Sequence, residues 1–106
     1  MIVAPGRKVN VREMEAAVQV LEYWNVEVMF GKNLFSNKHS YLSGTDEERL
    51  ADLQQALDNP RIAAIICARG GYGTTRILDQ LDFTSFMKHP KWIVGFSDIT
   101  ALHLQL

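Results

Sequence analysis

The chain has 106 residues, 47% of them hydrophobic and 22% charged, with a formal net charge of -1. That length bounds it to one domain, able to bury roughly two-thirds of its unfolded surface, and the near-zero charge gives no reason to expect nucleic acid or an anionic membrane as partner. A lone cysteine, Cys67, excludes an internal disulfide, and its apolar surroundings predict a buried thiol in a reducing compartment. No apolar stretch approaches the roughly 18 residues of a membrane span. Residues 1–5 are too short for a signal-peptide core, and Arg7 and Lys8 follow them instead of preceding them, so the expected location is cytoplasmic.

Taken in order, apolar residues 2–4 before Pro5-Gly6 predict a short buried strand, so short that a residue or two is expected ahead of it. Between 11 and 24, Val11, Met14, Val18, Leu21 and Tyr23 or Trp24 recur at three- and four-residue steps. That spacing predicts an amphipathic helix with Arg12, Glu15, Gln19 and Glu22 outside, and Asn10 with Glu13 has the form of a capping box at its start. Residues 26–30, closed by Gly31, predict a second strand. The aperiodic stretch 32–44 predicts a long loop of functional or mobile character.

Thr45 and Glu48 form a second capping box, opening a helix to about Asp58 with Leu50, Leu53 and Leu57 as its buried stripe. The unbroken apolar run 62–67 predicts a strand covered on both faces. Two helical segments are expected at 74–81 and 83–88, then a strand ending at Val94 and a helix from Asp98 to Leu106. Strands and helices alternating over short links predict an α/β fold, with a small parallel sheet of about four strands and helices on both faces in a flavodoxin- or Rossmann-like three-layer arrangement. The sheet's clefts then lie at the carboxyl ends of its strands. The last segment is still apolar at Leu106, so residues 1–106 are expected to be one domain cut from something longer.

Two stretches could carry chemistry. At 92–100 an apolar strand, a turn at Gly95, Ser97 and a helix follow one another, giving the first half of the G-x-S-x-G pattern that pushes a serine Oγ out beside a helix N-terminus. Ser97 is equally a good N-cap for that helix, and the spacing leaves both roles open. Asp98 could lend its backbone N–H to an oxyanion. Gly70, Gly71 and Gly73 make either a loop whose N–H groups approach an anion, with Arg69 and Arg76 nearby, or a tight turn in which they only relieve strain. Neither a dinucleotide fingerprint nor a P-loop is present, and no cofactor is expected. None of His39, His89 and His103 has metal-site spacing, so no metal is expected either. His103 is expected on a packed face, His39 within reach of a substrate, His89 in a solvated turn, and Asp79 and Asp82 as capping or surface groups. A nucleophilic serine needs a base and a group to orient it, and the chain offers no second residue with a persuasive context for either part.

Cys67-Ala68-Arg69-Gly70-Gly71-Tyr72-Gly73-Thr74, then Leu81-Asp82-Phe83, then Val94-Gly95-Phe96-Ser97-Asp98-Ile99-Thr100 resemble the LD-carboxypeptidase family of serine peptidases, which includes the microcin-immunity peptidases. Residues 41–49 and Ala4-Pro5 extend the likeness over essentially the whole chain. The resemblance implies a bacterial cytoplasmic enzyme of peptidoglycan recycling, cleaving the L,D-peptide bond to the terminal D-alanine of a murein tetrapeptide. It implies Ser97 as nucleophile, the backbone amides of Gly71 and Asp98 as oxyanion hole, and Arg69, Gly70, Tyr72, Gly73 and Thr100 as candidate substrate contacts. The triad glutamate and histidine would come from a C-terminal domain without counterpart here, leaving the fragment inactive alone. The partners implied are the murein peptide, that missing domain and a second copy in a full-length homodimer. Gly6-Arg7-Lys8 stands where small polar residues are common in the family, and no substrate contact is assigned there. The rival readings are a non-catalytic module binding a carboxylate or phosphate at the 70–73 loop, and an amide hydrolase of the microcin-immunity type.

Overall fold

Ile2–Val3 (β1) and Ala64–Cys67 (β2) pair in parallel, with Ile2 opposite Ile66 and Val3 opposite Cys67. Trp92–Val94 (β3) joins the other side of β2, Ala64 opposite Trp92 and Ile66 opposite Val94, so the sheet order is β1-β2-β3. The expected covering of β2 on both faces is met fully on one side only: Ile65 and Cys67 are buried, while Ala64 and Ile66 on the other face are partly buried. The computed structural model describes residues 1–106.

The expected strand at 26–30 is reduced to one bridge, Phe30 to Ile2. The Ile2 N–H donates to the Met29 carbonyl at 2.7 Å and the Gly31 N–H to the Ile2 carbonyl at 2.8 Å. β1 offers no longer ladder, since Pro5 lacks an N–H and the chain turns there. The sheet therefore has three strands instead of about four.

Val11–Tyr23 (α1) opens on the expected capping box, Asn10 and Glu13 exchanging side-chain-to-backbone bonds of 2.9 Å in both directions. Asp46–Asp58 (α2) opens on the second, Thr45 and Glu48, at 3.1 Å both ways. Each box satisfies N–H groups of a first turn that have no partner within the helix. The 83–88 segment forms Thr84–Lys88 (α3). The helix expected at 74–81 is instead two 3-10 turns, Thr74–Arg76 and Leu78–Gln80. Gly73 supplies no side-chain cap, and β-branched Thr74, Thr75 and Ile77 are poor helix formers. The last helix likewise opens as a 3-10 turn, Ser97–Ile99, before becoming Thr100–His103 (α4).

One face of the sheet is covered by α2, α3 and α4, where Val3, Ile65 and Cys67 meet Leu53, Ala56, Leu57, Ile77, Ile99 and Leu102. On the other, Met14 of α1 meets Ile2, Ala4 and Leu34. Burial pushes the Cys67 thiol up to about 12, as its apolar neighbourhood predicts. The long loop is tethered to α2: the Asn33 N–H and Nδ2 each donate to Asp52 at 2.9 Å, and Ser36 Oγ donates to Glu48 at 2.9 Å. No helix is long and apolar enough to cross a membrane.

Candidate active site

Because the strands are parallel, the turns that leave them meet at one edge: residues 5–8 after β1, 68–73 after β2 and 95–98 after β3. Ser97 is exposed there, and its backbone sits at φ +58°. The left-handed region costs a residue with a Cβ roughly 1–2 kcal/mol and persists only where the surroundings hold it. The cap reading of Ser97 does not survive, because Phe96 occupies the cap position and no side chain caps this turn. Ser97 instead lies within the turn, and the residue is exposed.

Gly70 faces it. A Cβ built on Gly70 would lie 3.0 Å from Ser97 Cβ and 3.3 Å from Ser97 Oγ, so the missing side chain is what admits this close approach. Gly71 follows at φ +113°, a conformation open to glycine, and its N–H makes no hydrogen bond within the protein. The Asp98 N–H is also without an acceptor. Two unengaged backbone donors and an exposed serine thus lie on adjoining turns at the sheet edge.

The spacing of these parts is set from below. Asp98 Oδ2 accepts the Thr74 N–H at 3.0 Å, joining the serine turn to the glycine loop. Arg49, fully buried on α2, donates through Nη1 to the Pro5 carbonyl at 2.6 Å and the Gly73 carbonyl at 2.9 Å, so one cation pins the turns after β1 and β2 together. Its Nη2 pairs with Asp46, which Arg76 holds from outside at 2.8 Å. Burial draws the Arg49 guanidinium's pKa down while Asp46 pulls it back, and the hydrogen bond from Arg76 is the main reason Asp46 lies below the usual carboxylate range.

The expected stripe of Leu50, Leu53 and Leu57 is accordingly wrong in part. The buried face of α2 is Arg49, Asp52, Leu53, Ala56 and Leu57, with Leu50 half-covered. Arg49 was legible in principle: it stands four, seven and eight residues before Leu53, Ala56 and Leu57, on one helical face, and a cation there must have buried acceptors.

The remaining candidates scatter. Arg69 lies 3.4 Å from Glu13, Tyr72 and Thr100 are exposed, and Gly73 is buried beneath Arg49. His39 uses Nδ1 to accept the Tyr41 and Leu42 N–H groups at 3.0 and 2.9 Å, which braces the long loop. A ring nitrogen of His103 lies 3.1 Å from the Ile93 carbonyl on a packed face, as expected. Sequence reasoning missed Tyr41 and Arg7, which flank Gly71: a Cβ there would meet Tyr41 Oη and Arg7 Cβ, each at 2.8 Å. The signal for Tyr41 was an aromatic in a long loop; Arg7 gave none beyond its charge.

Residues 1–106 match the family described as LD-carboxypeptidase N-terminal domain. A probable murein peptide carboxypeptidase of Bacillus subtilis is 42% identical over 102 residues, covering 96% of this chain and 32% of its own length. The crystal structure of muramoyltetrapeptide carboxypeptidase from Oxalobacter formigenes superposes with a TM-score of 0.81 at 38% identity, over 95% of this chain and 34% of that one. The microcin C7 self-immunity protein MccF, in complex with aspartyl sulfamoyl adenosine, superposes with a TM-score of 0.87 at 28% identity over 95% of this chain and 31% of its own. The chain spans about a third of the length of the curated relatives it matches. With the serine turn and glycine loop where the motif places them, and the family match running from end to end, the chain belongs to the LD-carboxypeptidase family, over its N-terminal domain.

Proposed function

We propose that the protein carrying this sequence is a serine carboxypeptidase that removes the terminal D-alanine from murein tetrapeptides. Ser97 Oγ attacks the carbonyl carbon of the L,D-peptide bond, and its proton passes to a histidine oriented by a glutamate, both contributed by polypeptide outside residues 1–106. The carbonyl oxygen becomes an oxyanion held by the N–H groups of Gly71 and Asp98; one such donor typically contributes about 10²-fold or more to rate. The C–N bond then breaks as the histidine returns the proton to the leaving D-alanine nitrogen, and water hydrolyses the acyl-serine by the same route. In this reading Arg69, Gly70, Tyr72, Gly73 and Thr100 are the candidate substrate contacts. The reading carries with it a homodimeric whole protein in the cytoplasm, where the reduced Cys67 thiol is at home.

The single observation that carries the reading is the strained, exposed Ser97 set against Gly70, with the Gly71 and Asp98 N–H groups unengaged. The relatives named for murein peptides supply the substrate class. In the full-length protein, Ser97→Ala is expected to reduce D-alanine release from murein tetrapeptide by at least ~10⁴-fold, read by coupled amino-acid oxidase assay. Release persisting within tenfold would refute the nucleophile. The likeness to MccF supports a second reading, in which the same serine cleaves another amide. Tighter binding of aspartyl sulfamoyl adenosine than of tetrapeptide would favour it.

A further inference from the structure

Beside the oxyanion loop lies a cleft of about 620 Å³ whose walls include Arg7, Lys8, Arg69, Tyr41, Asn37 and Glu13. Its size suits a short peptide, since small-molecule sites commonly span ~300–1,000 Å³. The cleft is cationic, with three basic side chains against one carboxylate. That carboxylate is already engaged: Glu13 caps α1 through Oε2 and approaches Arg69 at 3.4 Å through Oε1. Lys8 donates to the His39 carbonyl at 3.0 Å. Arg7 is the cation left over. It pairs with no carboxylate, and its guanidinium lies over the Tyr41 ring, 5.5 Å from the centroid. A ring face steadies a guanidinium while leaving its N–H edge free for a planar anion.

The position of Arg7 gives that cation its meaning. Gly71 packs against the Arg7 stem, its would-be Cβ 2.8 Å from Arg7 Cβ and 3.4 Å from Cδ, while Gly70 packs against Ser97. Ser97, Gly70, Gly71 and Arg7 therefore form one continuous wall from the hydroxyl to the cleft. The backbone of Arg7 is fixed by its bridge to Leu42 and by the Lys8 N–H bonding to the Tyr41 carbonyl at 3.0 Å. The side chain is thus presented from a firm base.

We propose that Arg7, steadied on Tyr41, is the carboxylate anchor of a peptide-binding cleft extending from the oxyanion turn past Lys8 and Arg69. The ligand is an anionic peptide, held by a carboxylate next to the bond presented to Ser97. This rests on the carboxypeptidase reading for the bond cleaved, but not for binding. In such a peptide the carboxylate is either the chain terminus or an acidic side chain, and two amidated peptides separate them.

The test uses the full-length protein carrying residues 1–106. Binding is measured calorimetrically in a Ser97→Ala background with a D-alanine-terminated acidic tetrapeptide, its C-terminal amide, and its form amidated at the internal carboxylate. Arg7→Gln is expected to weaken the free tetrapeptide about 10- to 100-fold, as loss of a charge-assisted bond implies, with Arg7→Lys intermediate. The loss should vanish for the one amidated peptide that lacks the anchored carboxylate, and so name it. With Ser97 intact, KM should rise by the same factor and kcat stay within about twofold. Arg7 is exposed, so an unchanged unfolding midpoint is expected to accompany these effects. Equal binding by Arg7→Gln and its parent, or an equal loss for all three peptides, overturns the anchor. If the parent binds through Arg7 but releases no D-alanine, the anchor stands and the carboxypeptidase reading falls. If D-alanine is released with KM unmoved by Arg7→Gln, the reading stands and the anchor falls.

Discussion

The two faces of the sheet are unequally covered, although the same strands supply both. The buried cluster on the α2 face has twelve residues, with Val3, Ile65 and Cys67 of the strands among them. The cluster on the α1 face has only five, and Trp92, Val94 and Phe96 remain 78%, 49% and 74% exposed. Ile65 and Ile66 are identical neighbours in β2, yet Ile65 is sealed and Ile66 is half-open. Burial here is set by the helix laid across a strand more than by the strand's own residues. α2 crosses with Leu53, Ala56 and Leu57 fully inward, while α1 buries only Met14 completely. The serine turn and glycine loop are fastened from the covered side, through Arg49 and Asp98.

The sharpest way to break that comparison is to cut equal side chains from the two helices. Leu53→Ala is expected to lower stability by about 3 kcal/mol, since the vacated space is walled on every side, whereas Leu21→Ala on α1, packed on one side only, should cost about 1 kcal/mol. Urea unfolding midpoints decide it, and similar losses would mean that the faces contribute alike. Next in size is Arg49→Met. It keeps bulk on the covered face but takes the donors from the Pro5 and Gly73 carbonyls, for an expected loss of about 2 kcal/mol. On the proposed mechanism, this positioning residue should affect kcat of the full-length protein more than KM, because slackening the Gly73 end displaces the Gly71 N–H more than the walls of the proposed cleft. A fall confined to stability would reduce Arg49 to a structural brace.

How far this was legible in the sequence follows from the range of the interactions. Both capping boxes, the β2 strand and the passage from β3 into a helical turn at the exposed Ser97 are set by residues within a few positions of one another, and all were readable. The 26–30 strand was not, because its pairing is limited by the length of β1, more than twenty residues away. The helix at 74–81 failed because its apolar spacing is helical while Gly73 and the β-branched residues favour 3-10 turns. Arg49 was passed over because a leucine stripe one residue out of phase offered a simpler pattern, and only its acceptors at Pro5 and Gly73 reveal the register. Arg7 and Tyr41 are far apart in the chain, and nothing local marks their convergence on Gly71.

The smallest expected effect lies on the open face and tests alternation within a single strand. In β3, Trp92 and Val94 point to the α1 side while Ile93 packs against the α2-side core. Trp92→Thr removes the largest side chain of the strand but keeps a residue suited to a pleated backbone, so the free chain's stability should move by under ~0.5 kcal/mol. The neighbouring Ile93→Thr trades only a small apolar volume for a hydroxyl, yet it should cost about 1–2 kcal/mol because that hydroxyl faces the packed layer. A small change one residue along would then outweigh a large one, as the covering helix dictates. If Trp92→Thr proved the more costly of the two, the 78% exposed indole would be stabilising a part of the α1 face that α1 leaves open, and the asymmetry between the faces would have to be abandoned.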